Sequence, residues 1–482
     1  MTSRPVTHDR YYWTAIGVIA LYLLSSLWIS YHRLGWYDEV LTFLIARLPR
    51  ATFGAALAGA ASALPPGYFL LARLFDGIFG PSDGAMRIPS ALALAGGLLV
   101  TFECARRATD SLHGLAAVAL LTTSLLPYYG YEARPYAACF LLMAIAFWLW
   151  NHPSSGTKHV AALFGATFLL AFGLHYYSAL CLLPYAMAET RWRFPSTKLI
   201  AGGFGVLCGA AALWPHIREA RKFSERFWAA PSLHALRDVF SEFFPYGMLI
   251  AAAALVSIAW FARVEKTMVL PMLPVERLGW LFLSVPMAGL LLGKLATNAF
   301  YNRYFIGMLP GVAIAFGCAL WRRFGRQPRV TAGIVALLLA VGVGKQVEMT
   351  AQPWKIVPPS LPGGAPALRA LLTTEPELIA DRKVIVPGAD AVLGLEARYY
   401  SKKPEAYAFL LHKDLAPIGR AHSNLARFTP MRFWSMDELR AHALEAALID
   451  PSEDTLTAMR EAGFRTRTLH TAGPAKIVYL EK

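Results

Sequence analysis

The sequence predicts a polytopic α-helical membrane protein that carries a small soluble α/β domain at its C-terminal end. Three observations lead there. The 482 residues are 56% hydrophobic and only 16% charged, against about 25% charged in an ordinary soluble domain. Apolar runs of about 16–20 residues recur from Tyr12 to Val347, and about 20 helical residues cross a bilayer core roughly 30 Å thick. Beyond Thr350 the long apolar runs stop and the composition becomes that of a soluble domain. The chain therefore divides into a membrane part, 1–349, and a soluble part, 350–482.

The first apolar run is followed by "SYHRLGWYDE" (30–39) and not by a small-residue cleavage site, so it reads as a retained helix and not as a removed signal peptide. Further spans are expected at 86–105, 112–128, 135–150, 159–174, 177–189, 198–214, 246–262, 278–293, 304–320 and 330–348, which with 12–30 makes about 11 crossings. Positive charge in the loops sets their direction. With the N-terminus inside, the inside loops hold Arg106 and Arg107; Lys158; Arg191, Arg193 and Lys198; Arg263, Lys266 and Arg277; and Arg322, Arg323, Arg326 and Arg329. The segment "PPGYFLLARLFDGIFG" (65–80) is short and interrupted by Arg73 and Asp76. A crossing there would turn every arginine cluster outward, so it is expected to lie along the outer interface as an amphipathic helix. An odd number of crossings leaves 350–482 on the outer side, periplasmic in a Gram-negative cell.

The net charge of +15 is accounted for by these loops. Nucleic-acid binding is not indicated, because the polar segments also carry acids and contain no long basic run. The five cysteines all fall in apolar runs, with no disulfide framework or metal-ligand spacing. In the soluble part, "RKVIVPG" (382–388) reads as a buried strand and "ADAVLGLEARYY" (389–400) as a helix. "SMDELRAHALEAALID" (435–450) reads as a helix opened by the capping box Ser435–Glu438. "DTLTAMREAGF" (454–464) is a further helix and "AKIVYLEK" (475–482) a closing strand. No glycine-rich phosphate loop occurs there, so a supporting or substrate-gating role is expected.

With this orientation, the unusual polar residues gather on one side of the membrane. They are Asp38 and Glu39 in the first outer loop, "YYGYEARPY" (128–136), "LHYYS" (174–178) and "TNAFYNRYF" (297–305). Each has an ordinary explanation alone. Acids favour the first turn of a helix such as "DEVLTFLIARLP", arginines snorkel at helix ends, tyrosines form interface belts, and Glu132 is placed to pair with Arg134. Ionisable groups at membrane depth are costly, however, and their convergence on one leaflet marks a candidate site.

In order along the chain, the Asp-Glu loop, "PPGYFLLARLFDGIFG", "AMRIPSALALAGGLLV", "YEARPYA", "LHYYSALCLLPYA" and "YNRYFIGMLPG" resemble the GT-C type membrane glycosyltransferases. The likeness is to the branch of dolichyl-phosphate-mannose-protein mannosyltransferases and lipid A aminoarabinose transferases, and it covers roughly residues 10–320. It implies inverting transfer of a sugar from a polyprenyl-phosphate donor to a lipid, glycan or protein acceptor at the outer face of the bacterial inner membrane.

The resemblance also implies roles. Asp38 matches the first acid of the family pair and is the expected general base, since the attacking hydroxyl must lose a proton; Glu39 would position the acceptor or a nearby arginine. Arg134 and Arg303 would stabilise the departing phosphate, bidentate contact suiting their planar fork. Tyr136 and Tyr304 would bind phosphate or line the lipid groove, and His175 with Tyr176 would contact sugar or phosphate. Relatives often carry His or Lys before the Pro-Pro of the interfacial segment, where this chain has Ala63 and Leu64; Arg73, Arg87 or Arg303 would then supply that contact. No cofactor is required by these residues, and a divalent metal is left open, because some more distant GT-C enzymes bind one near their acids. A transporter or flippase of lipid-linked glycans would predict ionisable groups at mid-membrane, internal repeats or broken helices. A non-catalytic subunit of an envelope complex is the other alternative.

Overall fold

Twenty-three consecutive helical residues, Arg10–His32, open the structure. The computed structural model describes residues 9–152, 157–189, 195–222, 229–245, 271–356, 364–387, 391–410, 427–472 and 475–482. Its contacts divide it into two compact units: one formed by 1–31 with 64–351, the other by 32–63 with 352–482.

Within the first unit, five helices among the described residues are long and apolar enough to cross a membrane: Arg10–His32, Asp83–Ala108, Pro274–Thr297, Asn302–Phe324 and Pro328–Ala351. Thr197–Ala212 with Trp214–Arg221 makes a sixth if that pair, bent by 71°, is one span. Ser111–Thr123, Tyr136–Trp150 and Lys158–Leu174 are shorter apolar helices. Length alone thus supports five or six crossings against the expected 11. The expected span at 246–262 lies outside the described residues, and the one at 177–189 is a 3-10 turn, Tyr176–Cys181, running into the short helix Leu182–Ala188. The third predicted span, 112–128, ends early at Thr123: a 3-10 turn, Leu126–Tyr131, follows, and Pro127 and Pro135, each lacking a backbone donor, stand between Ser111–Thr123 and Tyr136–Trp150. The 65–80 segment forms the separate helix Gly67–Phe79.

Helix packing here relies on small residues, as expected where lipid tails are as apolar as leucine. Lys158–Leu174 and Thr197–Ala212 approach so closely that a Cβ on Gly205 would lie 2.2 Å from the carbonyl oxygen of Gly165. Elsewhere in this unit, Glu276 is fully buried in the first turn of its helix. It accepts from Nε and Nη2 of Arg322 at 3.1 and 2.9 Å. Arg322 lies in the last turn of Asn302–Phe324, so each charge also complements its helix dipole.

In the second unit, four strands form a sheet in the order β1 (Val384–Pro387), β4 (Ala446–Ile449), β6 (Ala475–Glu481), β5 (Arg465–Ala472). β1 and β4 are parallel, whereas β6 is antiparallel to β4 and β5. A second, parallel pair joins β2 (Ala408–Leu410) to β3 (Arg432–Trp434). Val386, Trp434, Leu439, Leu448, Met459 and Val478 share the core. The helix expected over 435–450 is corrected: the capping box holds, but the helix ends at Ala441 and 446–449 becomes β4. Those four residues are all buried between β1 and β6, and tertiary pairing outweighs the helix preference of Ala and Leu.

Candidate active site

One proline and a short hydrogen bond shape the Glu132–Tyr136 segment. Pro135 caps the helix Tyr136–Trp150 and disfavours helical geometry at Arg134. The Arg134 N–H donates to the Glu132 carbonyl at 2.7 Å, closing a three-residue turn. Ser90 Oγ donates to the Arg134 carbonyl at 3.2 Å and lies 2.7 Å from the Tyr68 hydroxyl, which also donates to the Met86 carbonyl. The helices Gly67–Phe79 and Asp83–Ala108 thereby fix the backbone that presents Arg134. Glu132, Arg134 and Tyr136 are all buried.

Three other predicted residues meet this segment. The His175 ring lies 5.8 Å from Tyr136 and 4.8 Å from Tyr304. The Arg303 guanidinium sits 5.5 Å from the Tyr136 ring and 4.8 Å from that of Tyr301, within cation–π range. The Tyr177 N–H donates to His175 Nδ1 at 3.3 Å, which leaves the proton of a neutral imidazole on Nε2. Burial, then the charges of Arg134 and Arg303, push His175 down to about 3. Both arginines therefore act on one buried, neutral histidine. Burial and the Glu132 carboxylate raise Tyr129 well above its ordinary value, while Arg303 opposes them.

The remaining predicted residues are placed differently. The Tyr176 hydroxyl lies 2.6 Å from His216 Nδ1 and its ring packs on Phe172. Arg87 is wholly buried and donates to the Ser30 carbonyl at 2.7 Å, joining its helix to Arg10–His32. Asp38 and Glu39 belong to the second unit, in the first turn of the helix Tyr37–Ala46. Glu39 is fully buried and paired with Arg33 at 2.5 Å, both side chains excluded from solvent. Asp38 keeps partial solvent access. Among the described residues, no group of three or more His, Cys, Asp or Glu is placed to hold a metal ion.

Tyr129 and Tyr301 join the arginine cluster without having been singled out from sequence, although both lie in the quoted segments. Arg33 was missed because its partner is in a different local element. The "YY" at 399–400 gave no signal, although Tyr400 accepts from the Gly35 amide just before the Asp38 helix and Tyr399 packs on Phe43 within that helix.

The polytopic helical bundle followed by a small β-containing C-terminal domain is a GT-C type fold. Residues 63–217 match the family described as dolichyl-phosphate-mannose-protein mannosyltransferase. The structure is similar to that of ArnT from Cupriavidus metallidurans bound to undecaprenyl phosphate: TM-score 0.63 at 13% identity, covering 96% of this chain and 97% of that one. Against the same protein in the apo state the TM-score is 0.62 at 13% identity, covering 96% and 98%. No curated protein sequence matches the chain.

Proposed function

We propose that this chain is an inverting, polyprenyl-phosphate-sugar-dependent glycosyltransferase. It moves the sugar to an acceptor hydroxyl of a lipid, glycan or protein at the outer face of the bacterial inner membrane. The observation that carries this reading is the pair Arg134 and Arg303 acting on neutral His175 within an aromatic wall. Such a cluster suits a phosphate headgroup, with two planar cations for its oxygens and an Nε2–H donor beside them. The shared fold of a protein crystallised with undecaprenyl phosphate supports the same chemical class.

In the proposed reaction, Asp38 takes the proton of the acceptor hydroxyl as its oxygen bonds to the anomeric carbon. The bond from that carbon to the phosphate oxygen breaks, and its electron pair leaves on polyprenyl phosphate. Arg134 and Arg303 stabilise that charge. The phosphate departs as an anion, so one carboxylate suffices and no second acid is needed. Glu39 serves by holding Arg33. The topology that accompanies this reading has about 11 crossings, a cytoplasmic N-terminus and a periplasmic C-terminal domain, as the arginine loops indicate.

The test is Asp38→Asn in cells lacking the native gene, with envelope glycolipids, glycans and glycoproteins compared by mass spectrometry. Transfer is expected to vanish while the variant inserts at the normal level. A product profile equal to wild type would remove Asp38 from the base role.

A further inference from the structure

The helix that carries Asp38 begins at Tyr37, after Trp36, a residue with no side-chain oxygen to cap it. A helix start leaves four backbone N–H groups without intrahelical acceptors, and here acceptors come from elsewhere. Three consecutive amides donate to side-chain oxygens. Gly35 donates to the Tyr400 hydroxyl at 2.5 Å, Trp36 to Glu39 Oε2 at 3.4 Å, and Tyr37 to Glu396 Oε1 at 2.6 Å. Glu396 is only 3% exposed. Its carboxylate thus replaces the missing cap and also sits where the helix dipole favours negative charge.

Glu396 and Tyr400 are four residues apart on the helix Ala391–Tyr400, and so share one face. That helix packs directly on β1: a Cβ on Gly394 would lie 2.4 Å from the Pro387 side chain. On the same helix, Tyr399 packs its ring 5.8 Å from that of Phe43, and its hydroxyl accepts from Arg47. The backbone of residues 35–37 is therefore tied through one helix to the sheet of the soluble domain.

We propose that Glu396 and Tyr400 are positioning residues for the transfer reaction, which lock the loop so that the Asp38 carboxylate is presented in one orientation. This rests on the reading of Asp38 as the base. Neither residue touches substrate; both act through the 35–37 backbone. The soluble domain is then the clamp of the base loop.

The test uses the full-length protein in nanodiscs, as wild type, Glu396→Ala, Glu396→Gln and Tyr400→Phe. Amide exchange of a 35–40 peptide is expected to accelerate roughly tenfold in Glu396→Ala, the ratio a lost helix cap corresponds to. Binding of undecaprenyl phosphate, used as the probe, is expected to stay at the wild-type level in every variant. Transfer in cells is expected to fall, least in Glu396→Gln, which keeps an acceptor oxygen. Unchanged exchange at 35–40, or wild-type transfer with the loop opened, overturns the proposal. If the β1 peptide 384–387 also loses protection in the Glu396 variants, Tyr400→Phe decides by the same two readouts, since it removes only a hydroxyl. Asp38→Asn is measured alongside. Its retaining full transfer defeats the base assignment alone, because the exchange data report the lock independently.

Discussion

Arg303 lies within cation–π range of two tyrosine rings, contacts that suit a flat guanidinium better than a lysine ammonium. Arg303→Ala is expected to weaken polyprenyl-phosphate binding by about 3 kcal/mol, with Arg303→Lys recovering only part; titration with undecaprenyl phosphate measures both. His175 makes a separate prediction. Its folded-state value of about 3 lies below the ordinary 6.5, so on acidification the unfolded chain takes up that proton first. The folded state should therefore lose stability as pH falls from about 6.5 toward 3. Thermal unfolding across that window is expected to be steeper in wild type than in His175→Gln; equal slopes would contradict it. Arg134, His175 and Arg303 were legible because each stands in a short polar segment between apolar runs. Their neighbours Tyr129 and Tyr301 were not separated from the other tyrosines around them, since sequence alone does not say which ring faces a guanidinium.

The most constrained pairing of elements is Lys158–Leu174 against Thr197–Ala212. Gly205→Val would drive a side chain into the Gly165 carbonyl, whereas Gly203→Val has nothing within 4 Å to meet. The first is expected to destabilise the detergent-solubilised protein by about 1–3 kcal/mol and the second to leave its melting temperature unchanged. The five helices long and apolar enough to cross a membrane were legible because a bilayer demands a long apolar run, which sequence shows directly. The C-terminal β-containing domain was less so. Residues 435–450 carry a correct start signal, but the stop is set by the pairing of Ala446–Ile449 with two strands. β6 lies more than 25 residues beyond. Local periodicity holds no record of such partners.

At the scale of the molecule, the arginine loops predict that a reporter fused after Thr350 reads as periplasmic; a cytoplasmic signal would overturn the direction of every crossing. The polytopic class was legible from composition alone. The grouping of 32–63 with 352–482 was not, because it depends on contacts such as that of Tyr37 with Glu396, 359 residues apart. That separation also has a meaning in time. At about 5–20 residues per second, synthesis takes roughly 20–70 s to travel from the loop to the residues that hold it. For that interval the nascent chain displays its carboxylate on an unsecured segment. A chain cut short before Glu396 would never secure it, so completion of synthesis becomes a condition for competence.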